Sequence, residues 1–393
     1  MTWPKAELGA VCDIVSGATP KTGVAEFWDG DIAWTTPKDL SDLDAKYLFD
    51  TPRKLTESGL NSCSASMLPA NSVLLSSRAP IGLVAINTIP LCTNQGFKNL
   101  IPHKGRLDPE YLYWWLKSQN RELQNLGRGA TFKEISKAIV SRIQIPLPPL
   151  AEQKRIAGIL DAADALRAKR RESIEQLDTL IQSTFLEMFG DPVTNPMGWD
   201  KGHLGDFVPC INVGHVGPTS HGYVENGNGV VFLRTQNVRR NKLDLSNVLH
   251  ISASFDQELK KSRIHPRDVL VSRVGVNRGM AAVVPSDLEG ANCANIVIVR
   301  SSNQLNPAYL SELINGPYGR LTLLGDSVGA AQGVINVGTL LRWSTLVPPL
   351  NLQNTFATYV DSVEQENASQ LAHLAELDTL FASLQSRAFR GEL

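Results

Sequence analysis

No cysteine in this chain has an obvious partner. The five, Cys12, Cys63, Cys92, Cys210 and Cys293, are odd in number and never fall in a C-x-x-C pair. That spacing excludes a disulfide framework and the usual zinc motifs, and it suits a reducing compartment. No apolar run approaches the roughly 20 residues that span a bilayer, and the opening MTWPKAELGA lacks the basic-then-apolar pattern of a secretion signal. We therefore expect a soluble, cytoplasmic protein with no membrane partner. Net charge is nearly absent as well, −1 over 393 residues, which argues against a coat that binds nucleic acid by charge alone. Catalytic signatures are missing: there is no GxxxxGK phosphate loop, no HExxH, no GxSxG elbow and no acidic cluster with metal spacing, and the seven histidines are isolated. No catalytic, cofactor-binding or metal-ligating residue is assigned.

What is present is core-forming material in quantity. Hydrophobic residues make up 42% of the chain and charged residues 20%, the balance of a globular protein, and the length calls for two or more domains. The basic residues are concentrated. From Arg121 to Arg171 eleven Lys/Arg face five Asp/Glu, and from Arg234 to Arg278 ten face four.

The dominant feature is a repeat. PLPPLAEQKRIAGILDAADALRAKRRESIEQLDTLIQSTFLEMF, beginning at Pro146, matches LVPPLNLQNTFATYVDSVEQENASQLAHLAELDTLFASLQSRAF, beginning at Leu346, at 13 of 44 positions without a gap. Pro148, Pro149, Leu150 and Gln153 stand over Pro348, Pro349, Leu350 and Gln353, and LDTL stands over LDTL. Fainter echoes precede it: Leu8-Gly9 with Leu204-Gly205, VLLSSR ending at Arg78 with VLVSR ending at Arg273, DPEYL at Asp108 with NPAYL at Asn306, and Gly129-Ala130 and Ile135 with Gly329-Ala330 and Ile335. Such self-similarity governs the reading of the whole fold.

Between Leu150 and Phe189 there is no proline, and Ile156, Ile159, Ala163 and Leu166, then Ile174, Leu177, Ile181, Thr184 and Met188, recur at spacings of three and four. In the second copy Leu374, Leu377, Phe381, Leu384 and Ala388 take the places of the last five, with Phe356 and Val360 upstream. Each copy predicts one long helix with a narrow apolar stripe, opened by the proline pair and, in the first copy, stopped by Gly190-Asp191-Pro192. Forty residues at 1.5 Å each give a rod of about 60 Å. Two such stripes pack most simply antiparallel. The expected fold is α+β, with two mixed α/β domains (1–149 and 191–346) separated by a long antiparallel two-helix coiled coil (150–190 and 347–393), in a pseudo-two-fold dumbbell.

Two segments carry chemistry worth weighing. Asn306-Pro307-Ala308-Tyr309 is similar to the motif that holds a flipped adenine in amino-methyltransferases. Its repeat partner is Asp108-Pro109-Glu110-Tyr111, however, and Asn/Asp-Pro ahead of an apolar run is a helix N-cap with proline in the first turn. The stretch VVFLRTQNVRRNK, from Val230 to Lys242, sets Arg234, Gln236, Asn237, Arg239 and Arg240 directly behind an apolar strand. Arg suits guanine, and Gln and Asn suit adenine, although a polar run of this kind also fits a solvated loop. Its counterpart DIAWTTPKDL offers Thr35, Thr36 and Lys38.

With these residues in hand, the chain resembles the specificity subunits of Type I restriction-modification systems. PLPPLAEQKRIAGIL and VPPLNLQNTFATYV look like the conserved helices of that family, and GDIAWTTPKDL, SVLLSSRAPIG, CTNQGFKNLI, VVFLRTQNV and VLVSRVG look like its target-recognition domains. The second helix departs from the pattern with Asn351-Leu352-Gln353 in place of Ala151-Glu152-Gln153. The resemblance implies a non-catalytic reader of double-stranded DNA, each domain taking one half of a bipartite, asymmetric target while the helix pair fixes the unread spacer. It implies two modification subunits docked on the chain, which would bind S-adenosylmethionine and methylate adenine, and restriction (translocase) subunits joining that core. Two readings from other classes compete: an adenine-N6 methyltransferase using Asn306 to Tyr309, and a coiled-coil protein scaffold without nucleic acid.

Domains that read different half-sites should share scaffold residues and differ where bases are touched. On that reasoning Thr35, Lys38, Gln95 and Lys98 in the first half and Arg234, Gln236, Asn237, Arg239, Asn277 and Arg278 in the second are candidates for base contact. The Asn-Gln-Gly at Gln95 also fits a tight turn. Arg78 and Arg273, read as shared, go to scaffold or phosphate contact, with Arg128, Lys133 and Arg240. Thr36 is set aside because it aligns with Thr235.

Overall fold

Each long helix is entered through a short strand pinned to the start of its own half of the chain. In the computed structural model, which describes residues 3–43, 45–128, 133–225, 227–325 and 333–393, Lys5–Glu7 pairs antiparallel with Gln144–Pro146, and Asp200–His203 pairs antiparallel with Ser344–Val347. Pro149 and Pro349 then accept the first helical N–H groups, those of Glu152 and Gln153 and of Leu352 and Gln353. The helices run uninterrupted over Leu150–Phe189 and Leu350–Arg390. Both stop at a glycine in the left-handed region, Gly190 (φ 74°) and Gly391 (φ 79°), a conformation that costs other residues a steric penalty.

The chain forms two units, residues 1–171 with 372–393, and residues 172–371. Each long helix is thereby divided, and each unit draws on both. The first unit holds a five-stranded sheet in the order Cys12–Ser16, Lys98–Pro102, Val73–Leu75, Val84–Asn87, Tyr47–Leu48, and a three-stranded sheet with Trp28–Thr35 between Arg53–Leu55 and Cys92–Thr93. The second unit repeats the plan: Ile211–Val213, Ile296–Val299, Val269–Ser272, Ala281–Val283 form one sheet, and Val230–Leu233 lies between Leu249–Ile251 and Asn292–Cys293 in another. The parallel pairing of Trp28–Thr35 with Cys92–Thr93 is matched by that of Val230–Leu233 with Asn292–Cys293. The Gly129-Ala130 and Gly329-Ala330 landmarks lie outside the described residues.

Within each unit the two helix segments run antiparallel. In the first, Arg155 donates to the Leu393 carbonyl (3.2 Å) and Arg167 to Asp378 (2.6 Å). Ile156, Leu160 and Phe381 are buried there against Tyr111, Leu112 and Trp115. In the second unit Ile181, Phe185, Phe189, Phe356, Val360 and Val363 are buried with Tyr309. Ile159, Ile174, Leu177, Leu374, Leu377 and Leu384 are half-buried.

Leu166 corrects the expected stripe: it is 56% exposed. The side chain that turns inward beside it is Arg167, which pairs with Asp164 and Asp378 and lies over the Phe381 ring, 4.3 Å from its centroid. A charged, aromatic-stacked contact takes the place that an apolar one was expected to fill.

The two aromatic anchors Tyr111 and Tyr309 are equivalent. Each is fully buried and donates its hydroxyl to the strand before a long helix, at Pro146 (2.9 Å) and Leu346 (3.1 Å). Gln153 and Gln353 complete the joint. The side-chain oxygen of each accepts the N–H of the N-cap residue, Asp108 (2.9 Å) or Asn306 (2.7 Å), and the amide donates to two carbonyls, those of Arg106 and Pro148 or of Gln304 and Pro348. A buried amide with its oxygen and both hydrogens engaged is the reason this glutamine stands at the same place in both copies.

Candidate nucleic-acid interface

Four loops meet at one end of each unit because backbone hydrogen bonds stitch them together. In the first unit the Asn94 N–H donates to Thr35 (3.0 Å), Ser77 to Gly96 (2.7 Å) and Ile135 to Ser77 (3.0 Å). In the second, Ala294 donates to Leu233 (2.9 Å), Arg273 to Asn295 (3.4 Å) and Ile335 to Arg273 (3.1 Å). The turns that close the central hairpins end on Gly82 (φ 93°) and Gly279 (φ 81°), which donate back to Ser76 and Ser272.

These bonds fix which residues correspond, and they correct the sequence alignment by one position. Thr35 is equivalent to Leu233, so Thr36 faces Arg234 rather than Thr235, and Lys38 faces Gln236. Ser76 is equivalent to Ser272, which places Arg273 opposite Ser77 and Arg78 opposite Val274. The turn from Ser272 to Gly279 is one residue longer than that from Ser76 to Gly82, and matching arginine to arginine hid the shift. Arg78, Arg273 and Thr36 are therefore not shared positions.

Four of the residues proposed for base contact are buried and already bonded, and present no free polar edge. The Thr35 hydroxyl donates to Asp39 (3.2 Å). Lys98 reaches Glu134 (2.9 Å) and Ser77 (3.3 Å). Asn237 accepts the Arg234 N–H (2.9 Å) and donates to Asp244 (2.8 Å). Asn277 donates to the Thr235, Gln236 and Val238 carbonyls (3.1 to 3.4 Å), tying two loops into one surface.

Around these anchors the others are displayed. Lys38, Gln95, Arg128, Lys133 and Gln236 are exposed, with Gln95 accepting from Thr19. Arg239 is held by Asn277 (3.1 Å) and Asp244 (3.5 Å), Arg278 by the Gly333 carbonyl (2.7 Å), and Arg234 by the Asn247 carbonyl (3.2 Å), and all three are half-buried. Arg273 donates to Ile335 (3.3 Å), and Arg78 stands 4.0 Å from Glu134. Gln236, Arg239 and Arg278 are thus gathered around Asn277, and Arg78, Lys98 and Arg128 around Glu134, the last through backbone pairing. Arg240 is separated from its neighbour Arg239: it pairs with the buried Glu312 (3.1 Å), which also receives Asn241. Glu134 was not singled out in the sequence, since a lone glutamate gives no sign of the lysine it will meet.

Beside this geometry stand the similarities to known proteins. The Type I restriction modification DNA specificity domain matches residues 1–176. The specificity subunit of the Type I restriction enzyme MjaIX from Methanocaldococcus jannaschii is 32% identical over 276 residues, 66% of this chain and 63% of that protein, so the chain spans somewhat under two thirds of that relative's length. The StySPI specificity subunit of Salmonella potsdam is 26% identical over 81% of this chain and 73% of its own. The chain belongs to the specificity-subunit family of Type I restriction-modification systems. The fold agrees: a solved chain of a type I R-M system superposes with a TM-score of 0.64 at 20% identity, over 100% of this chain and 98% of its own. The S subunit of M. genitalium does so at 0.58 and 14%, over 99% and 96%.

Membership in the specificity-subunit family accords with the Asn306 motif as folded. The Asn306 side chain accepts from the Ala308 N–H (2.9 Å), and Pro307 opens the helix Pro307–Asn315. Asp108 caps Pro109–Ser118 in the same way. Tyr309 has no face free for a base, because its ring packs against Phe185 and Phe189 at 5.5 and 4.8 Å. Burial also pushes the Cys12 and Cys293 thiols up to about 12 and that of Cys92 to about 11, which leaves these three without nucleophilic thiolate near neutrality.

Proposed function

We propose that each unit of this specificity subunit reads one half of a bipartite, asymmetric double-stranded DNA target through its stitched loop end. The observation that carries this reading is the combination of a repeated frame with chemically different side chains at equivalent positions, exposed Lys38 against exposed Gln236 and half-buried Thr36 against half-buried Arg234. Lysine suits guanine acceptors, and glutamine suits the donor-acceptor pair of adenine. Exposed Arg128 and Lys133 serve phosphate, as Arg78 and Arg273 do at the loop bases, whereas the ion pair with Glu312 assigns Arg240 to the scaffold. The long helices set the unread spacer and dock two modification subunits, which hold S-adenosylmethionine and methylate adenine; restriction subunits join that core, and the assembly works in the cytoplasm. Leucines left exposed on the helices, Leu166 and Leu380 in the first unit and Leu180 and Leu371 in the second, support docking there.

The test is binding of the assembled complex to cognate and scrambled duplexes at two salt concentrations. Gln236→Ala should cost about 1 to 3 kcal/mol at one base pair of the cognate site and little on scrambled DNA. Lys133→Ala should weaken both alike and lessen the salt dependence. Equal losses on both sequences for Gln236→Ala would refute the assignment.

A further inference from the structure

Among the described residues the most exposed large apolar side chain is Val276, at 95%. It sits on the turn between Ser272 and Gly279, and this turn is firmly held. The Arg278 N–H donates to Gly275 (3.1 Å), Gly279 to Ser272 (2.9 Å) and Met280 to Asn277 (2.9 Å). Asn277, the next residue, is buried and bonded to three carbonyls of the loop that carries Gln236 and Arg239. Val276 is therefore displayed on a fixed backbone, with the hydrogen-bonding side chains of Gln236, Arg239 and Arg278 on the same loop cluster.

An apolar group among donors matches one feature of a base edge. In the major groove thymine alone sets a methyl group beside a carbonyl acceptor. Valine has no donor for phosphate, and its two methyls on a stiff Cβ are short and held to few rotamers, which suits contact with one methyl better than the wedging that longer side chains perform between base steps. The equivalent turn of the first unit carries Arg78, Ala79 and Pro80 and is one residue shorter, so Val276 lies where the two units differ, as a half-site reader must.

Resting on the DNA-reading role above, we propose that Val276 recognises thymine through its 5-methyl group in the half-site bound by the second unit. The experiment uses the assembled complex and duplexes in which each thymine of the mapped half-site is replaced, one at a time, by deoxyuridine. One replacement should weaken binding by about 5- to 10-fold, and Val276→Ser should bind thymine and uracil at that position alike, with an unchanged melting temperature. The proposal is overturned if the half-site has no thymine, if no replacement matters, or if Val276→Ser keeps the penalty. A complex that fails to separate cognate from scrambled DNA at all would instead overturn the DNA-reading role, and this inference with it.

Discussion

Gln153 and Gln353 show how one side chain fixes a joint between elements. Each satisfies three backbone groups where a long helix, the strand before it and a capped helix meet. Leucine there would leave those groups buried and unpaired, at about 1 to 3 kcal/mol for each. Gln153→Leu should therefore lower stability by roughly 2 to 4 kcal/mol, with Gln353→Leu similar, as read by urea denaturation; a loss under 0.5 kcal/mol would contradict the joint. A second residue of this kind is Glu312. Burial pushes its carboxyl above the ordinary range, against the opposing pull of Arg240 and Asn241. A folded value above the unfolded one means that the native state binds the proton more tightly, so this group's contribution to stability falls as pH rises from the usual value of about 4.3 through the raised one. The melting temperature of Glu312→Gln relative to the parent should climb across that window, and a difference independent of pH would remove the effect. Neither residue could be assigned its role from sequence alone. The glutamine was visible as a repeated letter, but its partners lie some 45 residues upstream, at Asp108 and Asn306. Lys98 was misread for the same reason, since Glu134 lies across the fold.

At the scale of elements, the long helices were the most legible part of the chain, because proline pairs, periodicity and a terminal glycine are local signals. So were the N-caps Asp108 and Asn306. The loop correspondence was not legible: a single extra residue between Ser272 and Gly279 moves Arg273 opposite Ser77, and only the hydrogen bonds across the sheet expose it. The apolar stripe was too simple a rule as well, for at Leu166 and Arg167 it gives way to charge. Arg167 is mostly buried, meets two carboxylates and lies over Phe381. Arg167→Ala should destabilise the first unit by about 1 to 2 kcal/mol, the range for charged hydrogen bonds and a cation–π contact reduced for the partly exposed Asp164 and Asp378. Arg167→Leu should recover part of that by packing on Phe381. Denaturant midpoints of the two variants would decide it, and identical losses would show that packing contributes nothing.

For the whole molecule, the consequence of the repeat is that neither unit holds a whole long helix, and the first is not a continuous piece of chain. The first unit is closed by residues 372–393, which lie more than 200 residues beyond its last preceding segment. Phe381 and Ala388 are buried in its core, Phe389 packs on Tyr111 at 5.5 Å, and Trp3 donates to the Ala388 carbonyl (3.1 Å). One buried and one half-buried phenylalanine, with half-buried Leu384, amount to about 4 kcal/mol of apolar burial, a large share of the 5 to 15 kcal/mol that ordinarily holds a domain together. Ending the chain after residue 371 removes no strand and no loop of the first unit. It should nonetheless loosen that unit while sparing the second, whose helix segments 172–189 and 350–371 remain intact. Hydrogen exchange followed by mass spectrometry separates the outcomes: protection should fall in Val73–Leu75 and Lys98–Pro102 and persist in Val269–Ser272 and Ile296–Val299. Equal protection in both sets would mean that each half holds its fold without the shared helix, and that the repeat joins two self-sufficient domains.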